Sequence, residues 1–379
     1  MVDISKLVKA TITELNPCFH GGNVWEISDK FKIPLNQVID FSVPINPLGA
    51  PKKVLQSIRQ HLSTIKNYPD PDHGWLLETL SNYVGVKSNN IIVGNGSTEL
   101  IYLFTEVFVE SGYEAVIPIP TFGEYKIATM RAGGRPLFLR CNPAKNFRLN
   151  FDKLEKAISK KTRIIFFCNP NSPTGILYEK DDVLRIIRLA AEKNVLMFID
   201  EDYVDFVDDN KRYSMAEYVK RYDNLFVLRS LTKFFGLAGI RIGFGIGSPD
   251  VVGTLKKAKM PWSVNSLAMF AATEAVKDDD FIKDSRLLIS RSKRHLQKML
   301  QEIPWLRVYP SETNFFLIEI TKGDLTSTQL KKRLARKGLL IRDCSDFDGL
   351  NNRFFRVSVN KPEENKKLIK HLKSFANSE

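Results

Sequence analysis

The sixteen residues Arg229–Phe244, RSLTKFFGLAGIRIGF, hold an amine that could act as a nucleophile. Lys233 follows two hydroxyl residues, Ser230 and Thr232, and precedes a Gly-Leu-Ala-Gly run. A lysine desolvated in such a setting has a lowered pKa and can condense with a carbonyl carbon to a Schiff base. Arg241, eight residues on, offers a fork suited to a phosphate. Taken alone, Lys233 reads equally well as one more surface lysine. Four other short segments carry complementary chemistry. GNGST places Asn95, Gly96 and Ser97 at the start of a helix candidate, where backbone N–H groups suit an anion; its plain alternative is a turn. PTFGEY puts Phe122 just past a strand end, where a ring could cover a flat heterocycle or simply fill the core. CNPNSPTG is a rigid polar turn containing Asn171 and Ser172. FIDEDYVDF ends an apolar run in Asp200, Glu201, Asp202 and Tyr203. A carboxylate there is costly to bury without a partner, and a protonated ring nitrogen would be one for Asp200. A solvated carboxylate or a metal site is the alternative, and no histidine lies near for the latter.

These segments sit at the ends of short apolar runs that alternate with longer amphipathic ones. The strand candidates are NIIVGNG (90–96), EAVIPIP (114–120), RPLFLR (135–140), RIIFFCNP (163–170), VLMFIDEDY (195–203), NLFVLRS (224–230) and RIGFGIG (241–247). Helix candidates separate them, as at 97–112 and 179–194. This alternation predicts an α/β fold with a mostly parallel sheet between helices. In such sheets ligands sit beyond the carboxyl ends of the strands, where the five chemical segments lie. The C-terminal part reads as a smaller α/β unit of two or three strands behind a long charged helix at 278–302. The chain is therefore divided into an N-terminal segment, 1–60, packing on the small domain; a large domain, 61–275; and the small domain, 276–379. The N-terminal segment is expected to hold an amphipathic helix and a second helix at 51–63.

Composition narrows the function classes. The chain has 379 residues, 43% of them hydrophobic and 26% charged, which argues against wholesale disorder. Its longest apolar runs fall far short of the ~20 residues of a membrane span. The N-terminus has no apolar core of the secretory kind, so a cytoplasmic protein with no membrane partner is expected. The formal charge of +13 is spread along the chain without interleaved aromatics. That pattern suits a solvated surface or an anionic small molecule and argues against nucleic acid. The four cysteines and five histidines are scattered, with no metal-ligand spacing.

Taken together, the strand ends offer a phosphate cradle, a ring cover, a polar turn, an acid and a lysine–arginine pair. Those parts match pyridoxal 5'-phosphate, which combines a phosphate, a pyridine, a phenolic oxygen and an aldehyde. The ordered set GNGSTEL, PTFGEY, NPNSPTG, DEDYVDF and SLTKFFGLAGIRIGF resembles the fold-type-I pyridoxal-phosphate enzymes, in the histidinol-phosphate aminotransferase branch. The likeness covers nearly the whole chain. It implies a large domain with a mostly parallel sheet, a small α/β domain, and a homodimer with shared active sites. It implies that Lys233 carries the cofactor, that Asp200 pairs with the pyridine nitrogen and that Tyr203 donates to the phenolic oxygen. Phe122 would stack on the ring. Asn95, Gly96, Ser97, Ser230, Thr232 and Arg241 would hold the phosphate, with Tyr68 of NYPDPD reaching it from the partner subunit. The family's asparagine before Pro-Thr-Gly is Ser172 here, so either Ser172 or Asn171 would reach the cofactor.

Within the branch, HGGN (20–23), IDFSVPINPLG (39–49) and YPDPD (68–72) are similar to the L-threonine-O-3-phosphate decarboxylases of cobalamin biosynthesis. That likeness implies that Arg356 holds a substrate carboxylate and that Arg342, with His20 and Gly21, holds a substrate phosphate. Val43-Pro44 stands where those enzymes usually have Ala-Asn, and proline offers neither a side-chain donor nor an N–H. Serine phosphate or another phosphorylated amino acid therefore stays open beside threonine phosphate. Histidinol-phosphate-type transamination and a non-catalytic cofactor-binding regulator are the rival functions.

Overall fold

The computed structural model describes residues 2–375. Its centre is a seven-stranded sheet built from β2 (Ile91–Gly94), β3 (Glu114–Ile119), β4 (Arg135–Arg140), β5 (Thr162–Cys168), β6 (Leu196–Asp200), β7 (Leu225–Ser230) and β8 (Gly243–Gly247). The short strand β1 (Ile39–Asp40) lies outside it. The strand order is β2-β8-β7-β6-β5-β3-β4, and β8 alone runs against its neighbours. Strands buried on both faces need continuous apolar runs, because successive side chains point to opposite sides. In β5, Ile164 and Phe166 join one core with Phe104, Phe198 and Phe226, while Ile165 and Phe167 join the other with Met197 and Val227. Helices Ser97–Phe108, Glu124–Arg131 and Pro249–Ala258 cover the first face. Lys180–Glu192, Gly74–Val84 and Ser266–Ala275 cover the second. The expected mostly parallel sheet between helices is what forms.

The C-terminal unit is larger in strand than expected. β9 (Leu306–Val308), β10 (Phe315–Ile320), β12 (Arg342–Asp343) and β13 (Phe354–Ser358) make an antiparallel sheet of four strands, and β11 (Leu339–Leu340) pairs separately with β1. A three-residue strand such as β9 is too short to show a period, which is why four strands form where two or three were expected. Helices Asp279–Gln301, Ser327–Ala335 and Pro362–Ser374 pack on this unit through Leu296, Leu300, Leu330, Leu368 and Leu372.

The N-terminal segment divides its loyalty. Phe41 lies in the C-terminal core, its N–H donates to the Leu340 carbonyl at 2.7 Å, and its carbonyl accepts from Ser358 at 2.9 Å. Helix Lys52–Gln60 instead packs on Ser266–Ala275, with Val54 in the large core. That helix is shorter than the predicted 51–63 and gives way to a 3₁₀ turn, Leu62–Lys66. Before it, among the described residues, stand the short α-helices Ala10–Thr13 and Val24–Phe31 and two 3₁₀ turns. Among the described residues, no helix is long and apolar enough to cross a membrane.

Candidate active site

The parallel strands all deliver their carboxyl ends to one side, and a cavity of about 670 Å³ opens there against the C-terminal unit. Lys233, Asp200, Tyr203, Ser97, Phe122, Ser172, Arg241, His20, Gly21, Arg342 and Arg356 all line it. These residues span more than three hundred positions of chain, yet they meet in one place.

Asp200 ends β6, directly in register with Cys168 on β5. Its Oδ2 accepts from the Tyr125 hydroxyl at 2.6 Å and its Oδ1 from the Asp202 N–H at 2.9 Å. Burial, reinforced by the charge of Asp202, pushes the Asp200 carboxyl up to about 7. A cationic partner at this carboxylate would reverse that penalty. Tyr125, which clamps it, was not anticipated; its only sequence signal is a place three residues beyond Phe122. Tyr203 is buried beside Phe315, and burial raises its phenol.

Lys233 reverses one expectation. Burial pulls its ammonium toward release, but Asp202 and Tyr203 outweigh that and hold its pKa above the ordinary range. The Asp202 carboxylate lies 3.5 Å from Nζ, and Thr232 Oγ1 lies 3.4 Å away. The lowered pKa expected from desolvation alone fails because an acid two residues past the strand end turns back onto the amine. Ser230 and Thr232 are buried behind Lys233, their hydroxyls 2.7 Å apart, and do not line the cavity.

The corner expected to take an anion lies where helix Ser97–Phe108 begins. Gly96 holds φ +79°, and a Cβ there would collide with the Arg241 guanidinium. Arg241 itself has φ 62°, a left-handed setting that costs a non-glycine residue about 1 kcal/mol or more. Asn95 lies outside the cavity lining, its N–H donating to Glu99 at 2.5 Å.

The turn after β5 separates the two candidates left open there. Asn171 is committed to it: Oδ1 accepts from Thr121, and Nδ2 donates to the Pro120 carbonyl and Thr174. Ser172 faces the cavity, where its hydroxyl accepts from Arg356 Nη1 at 2.9 Å. Tyr68 is not part of this lining; it is 79% exposed, against Trp262.

On the opposite wall Arg342 and Arg356 face each other across β12 and β13. Arg356 also donates to the Ser42 carbonyl at 2.9 Å, and its buried Nε has no hydrogen-bond partner among the described residues. Arg342 holds Asp346 at 2.8 Å and the Phe19 carbonyl at 2.7 Å, which ties the His20-Gly21 segment across the cavity mouth. Gly21 fits because a Cβ would lie 2.6 Å from Ser42 Oγ. His20 Nε2 lies 2.9 Å from Glu124, whose other oxygen accepts from Tyr102. Burial opposes the Glu124 charge, but these two hydrogen bonds outweigh it and hold the carboxyl below its usual range. Glu124 and Tyr102 were not anticipated, being distant in sequence from His20. Val43 and Pro44 form an apolar strip of the wall.

The donor set fits pyridoxal phosphate. A buried carboxylate with a raised pKa, an amine, a phenol and a glycine-cleared helix start with an arginine converge on one cavity. Residues 36–372 match the family described as aminotransferase class I and II. The chain belongs to that family, has its fold-type-I architecture, and uses pyridoxal 5'-phosphate as its cofactor. It is 37% identical over 360 residues to a Caldanaerobacter subterraneus subsp. tengcongensis protein provisionally named threonine-phosphate decarboxylase, covering 95% of this chain and 94% of that one. It is 32% identical over 375 residues to the histidinol-phosphate aminotransferase of Methanococcus aeolicus, covering 99% and 100%. The crystal structure of L-threonine-O-3-phosphate decarboxylase from Porphyromonas gingivalis superposes with a TM-score of 0.80 at 27% identity, covering 90% and 100%.

Proposed function

We propose that this protein decarboxylates a phosphorylated amino acid, L-threonine O-3-phosphate first, giving (R)-1-amino-2-propanol O-2-phosphate for cobalamin biosynthesis. The observation that carries the reading is the arginine pair. Arg342 and Arg356 stand opposite each other and share one cavity with Lys233. Two guanidinium groups suit a substrate with two anionic ends, a carboxylate and a phosphate. Histidinol phosphate has a single anionic end. The 37% identical relative supports the same reading.

When bound, the cofactor supplies an electron sink for charge developing at the substrate's α-carbon. Lys233 would hold the cofactor's aldehyde carbon, and its amine, when free, would supply the proton that replaces the carboxylate on the substrate's α-carbon. An amine held protonated by Asp202 is suited to that delivery. Asp200 would hold the pyridine nitrogen, Tyr203 and Ser172 the phenolic oxygen, and Phe122 would cover the ring. Ser97 and Arg241, which line the cavity, would hold the phosphate at the glycine-cleared turn of Asn95 and Gly96, with Ser230 and Thr232 packed behind Lys233 and Tyr68 reaching in from a second subunit of a homodimer. Arg356 takes the substrate carboxylate; Arg342, His20 and Gly21 take its phosphate. The apolar Val43-Pro44 strip leaves L-serine O-phosphate as an alternative substrate.

The Methanococcus aeolicus relative favours a second reading, transamination of histidinol phosphate. An assay of the cofactor-loaded protein separates them. CO2 and an amino alcohol phosphate, formed from threonine or serine phosphate with no keto acid present, is the expected result. Transfer of the amino group of histidinol phosphate to a keto acid, without CO2, overturns it.

A further inference from the structure

The carboxylate paired with Lys233 is that of Asp202, not that of Asp200. Asp202 Oδ2 lies 3.5 Å from Nζ, and the two side chains are only 13% and 22% exposed. Asp202 Oδ1 is buried and has no hydrogen-bond partner among the described residues. The Asp202 N–H is tied to Asp200 Oδ1, which fixes the turn after β6 and aims both acids and Tyr203 into the cavity. The other groups facing Lys233 are the carboxylate of Asp200 and the phenol of Tyr203 from that turn, the Thr232 hydroxyl, and the guanidinium of Arg241. Arg356 lies beyond Tyr203. Among the described residues, Asp202 is the one carboxylate within ion-pair distance of the amine.

We propose that Asp202 is a positioning residue for Lys233, keeping the lysine nitrogen protonated both as the free ammonium and when it is joined to the cofactor. Joining the amine to the aldehyde carbon releases one water and leaves a nitrogen that holds or loses a single proton. Protonated, that linkage is the more electrophilic toward an incoming amine. An opposite charge within ~4–6 Å favours the charged form by about one to three pH units. The raised pKa of the free amine agrees with this sign. The inference depends on the cofactor and not on whether the substrate loses CO2.

The test is a spectrophotometric titration of the substrate-free holoenzyme, wild type against D202N. The visible band of the protonated linkage is expected to give way at a pH about one unit or more lower in D202N. D202E, which restores a charge on a longer arm, is expected to recover part of the shift. A structural role alone would change cofactor retention or thermal stability but not the midpoint. An unchanged midpoint in D202N overturns the proposal. If D202N takes up no cofactor, competitive acetylation of the cofactor-free chain, mapped to Lys233 by mass, decides instead. A lower apparent pKa than wild type supports the proposal, and an equal one sinks it.

Discussion

Lys233 and Asp200 show what single side chains contribute. K233A removes the proposed attachment point, so borohydride should no longer fix cofactor to the peptide that carries position 233. Product formation should fall by about 10²–10⁴-fold or more; peptide mapping and an end-point assay check both. R356Q leaves the Ser172 hydroxyl and one substrate charge unpaired, so KM for the phosphorylated amino acid should rise about 10- to 100-fold, read from initial rates. Asp200 makes a prediction about stability. Its carboxyl is held up to about 7 in the fold, against an ordinary 3.8. Between those values the folded cofactor-free chain binds more protons than the unfolded one, so this group's contribution declines as pH rises from about 4 to about 7. D200N lacks the term. Thermal midpoints of the cofactor-free proteins should therefore diverge in favour of D200N as pH approaches 7. Parallel curves would mean that Asp200 is not held in that state. Lys233, Asp200 and Tyr203 were legible in the sequence because each lies at, or three residues past, the end of an apolar strand. Asp202 was visible as a residue but not as a partner: nothing in DEDY says which acid turns back toward an amine thirty-one positions away.

At the scale of elements, the sheet is held together by its one reversed strand. β8 enters between β2 and β7, and its glycines let neighbours approach closely. A Cβ at Gly245 would overlap the Phe226 ring, and one at Gly243 would lie 2.7 Å from the Ser97 N–H. G245A should therefore lower stability by about 1–3 kcal/mol in chemical unfolding while leaving the cofactor contacts in place. G243A presses on the helix start itself and should weaken cofactor affinity, measured by spectroscopic titration of the cofactor-free protein. The long strands and helices were legible because a run such as RIIFFC can satisfy two faces only inside a covered sheet. The fourth strand of the small sheet was not. Leu306–Val308 is only three residues long and becomes strand because β10 is there to pair with it.

For the whole molecule, Tyr68 is the residue that its own subunit does not explain. It lies with Leu62, Ile65, Met260 and Trp262 among the exposed large apolar side chains, a pattern that suits a partner surface. If Tyr68 serves the site of a second subunit, Y68A and K233A proteins, each impaired alone, should recover activity when unfolded and refolded together. One site of each mixed dimer would then be intact. No recovery, in a mixture shown by sedimentation to contain mixed dimers, would count against a shared site. The sequence by itself determined the class of fold and the cofactor, and it singled out many of the residues that line the cavity. Strand periodicity and strand-end residue types are local properties, and they survive in a linear reading. Only the tertiary structure decided which of those groups touch. It turned Asn171 into the turn and Ser172 into the cavity, tied Arg342 to Phe19, set Glu124 on His20, and paired Lys233 with Asp202. Each of those outcomes depends on packing between segments far apart in the chain, and the raised pKa of Lys233 follows from that packing and not from its neighbours in sequence.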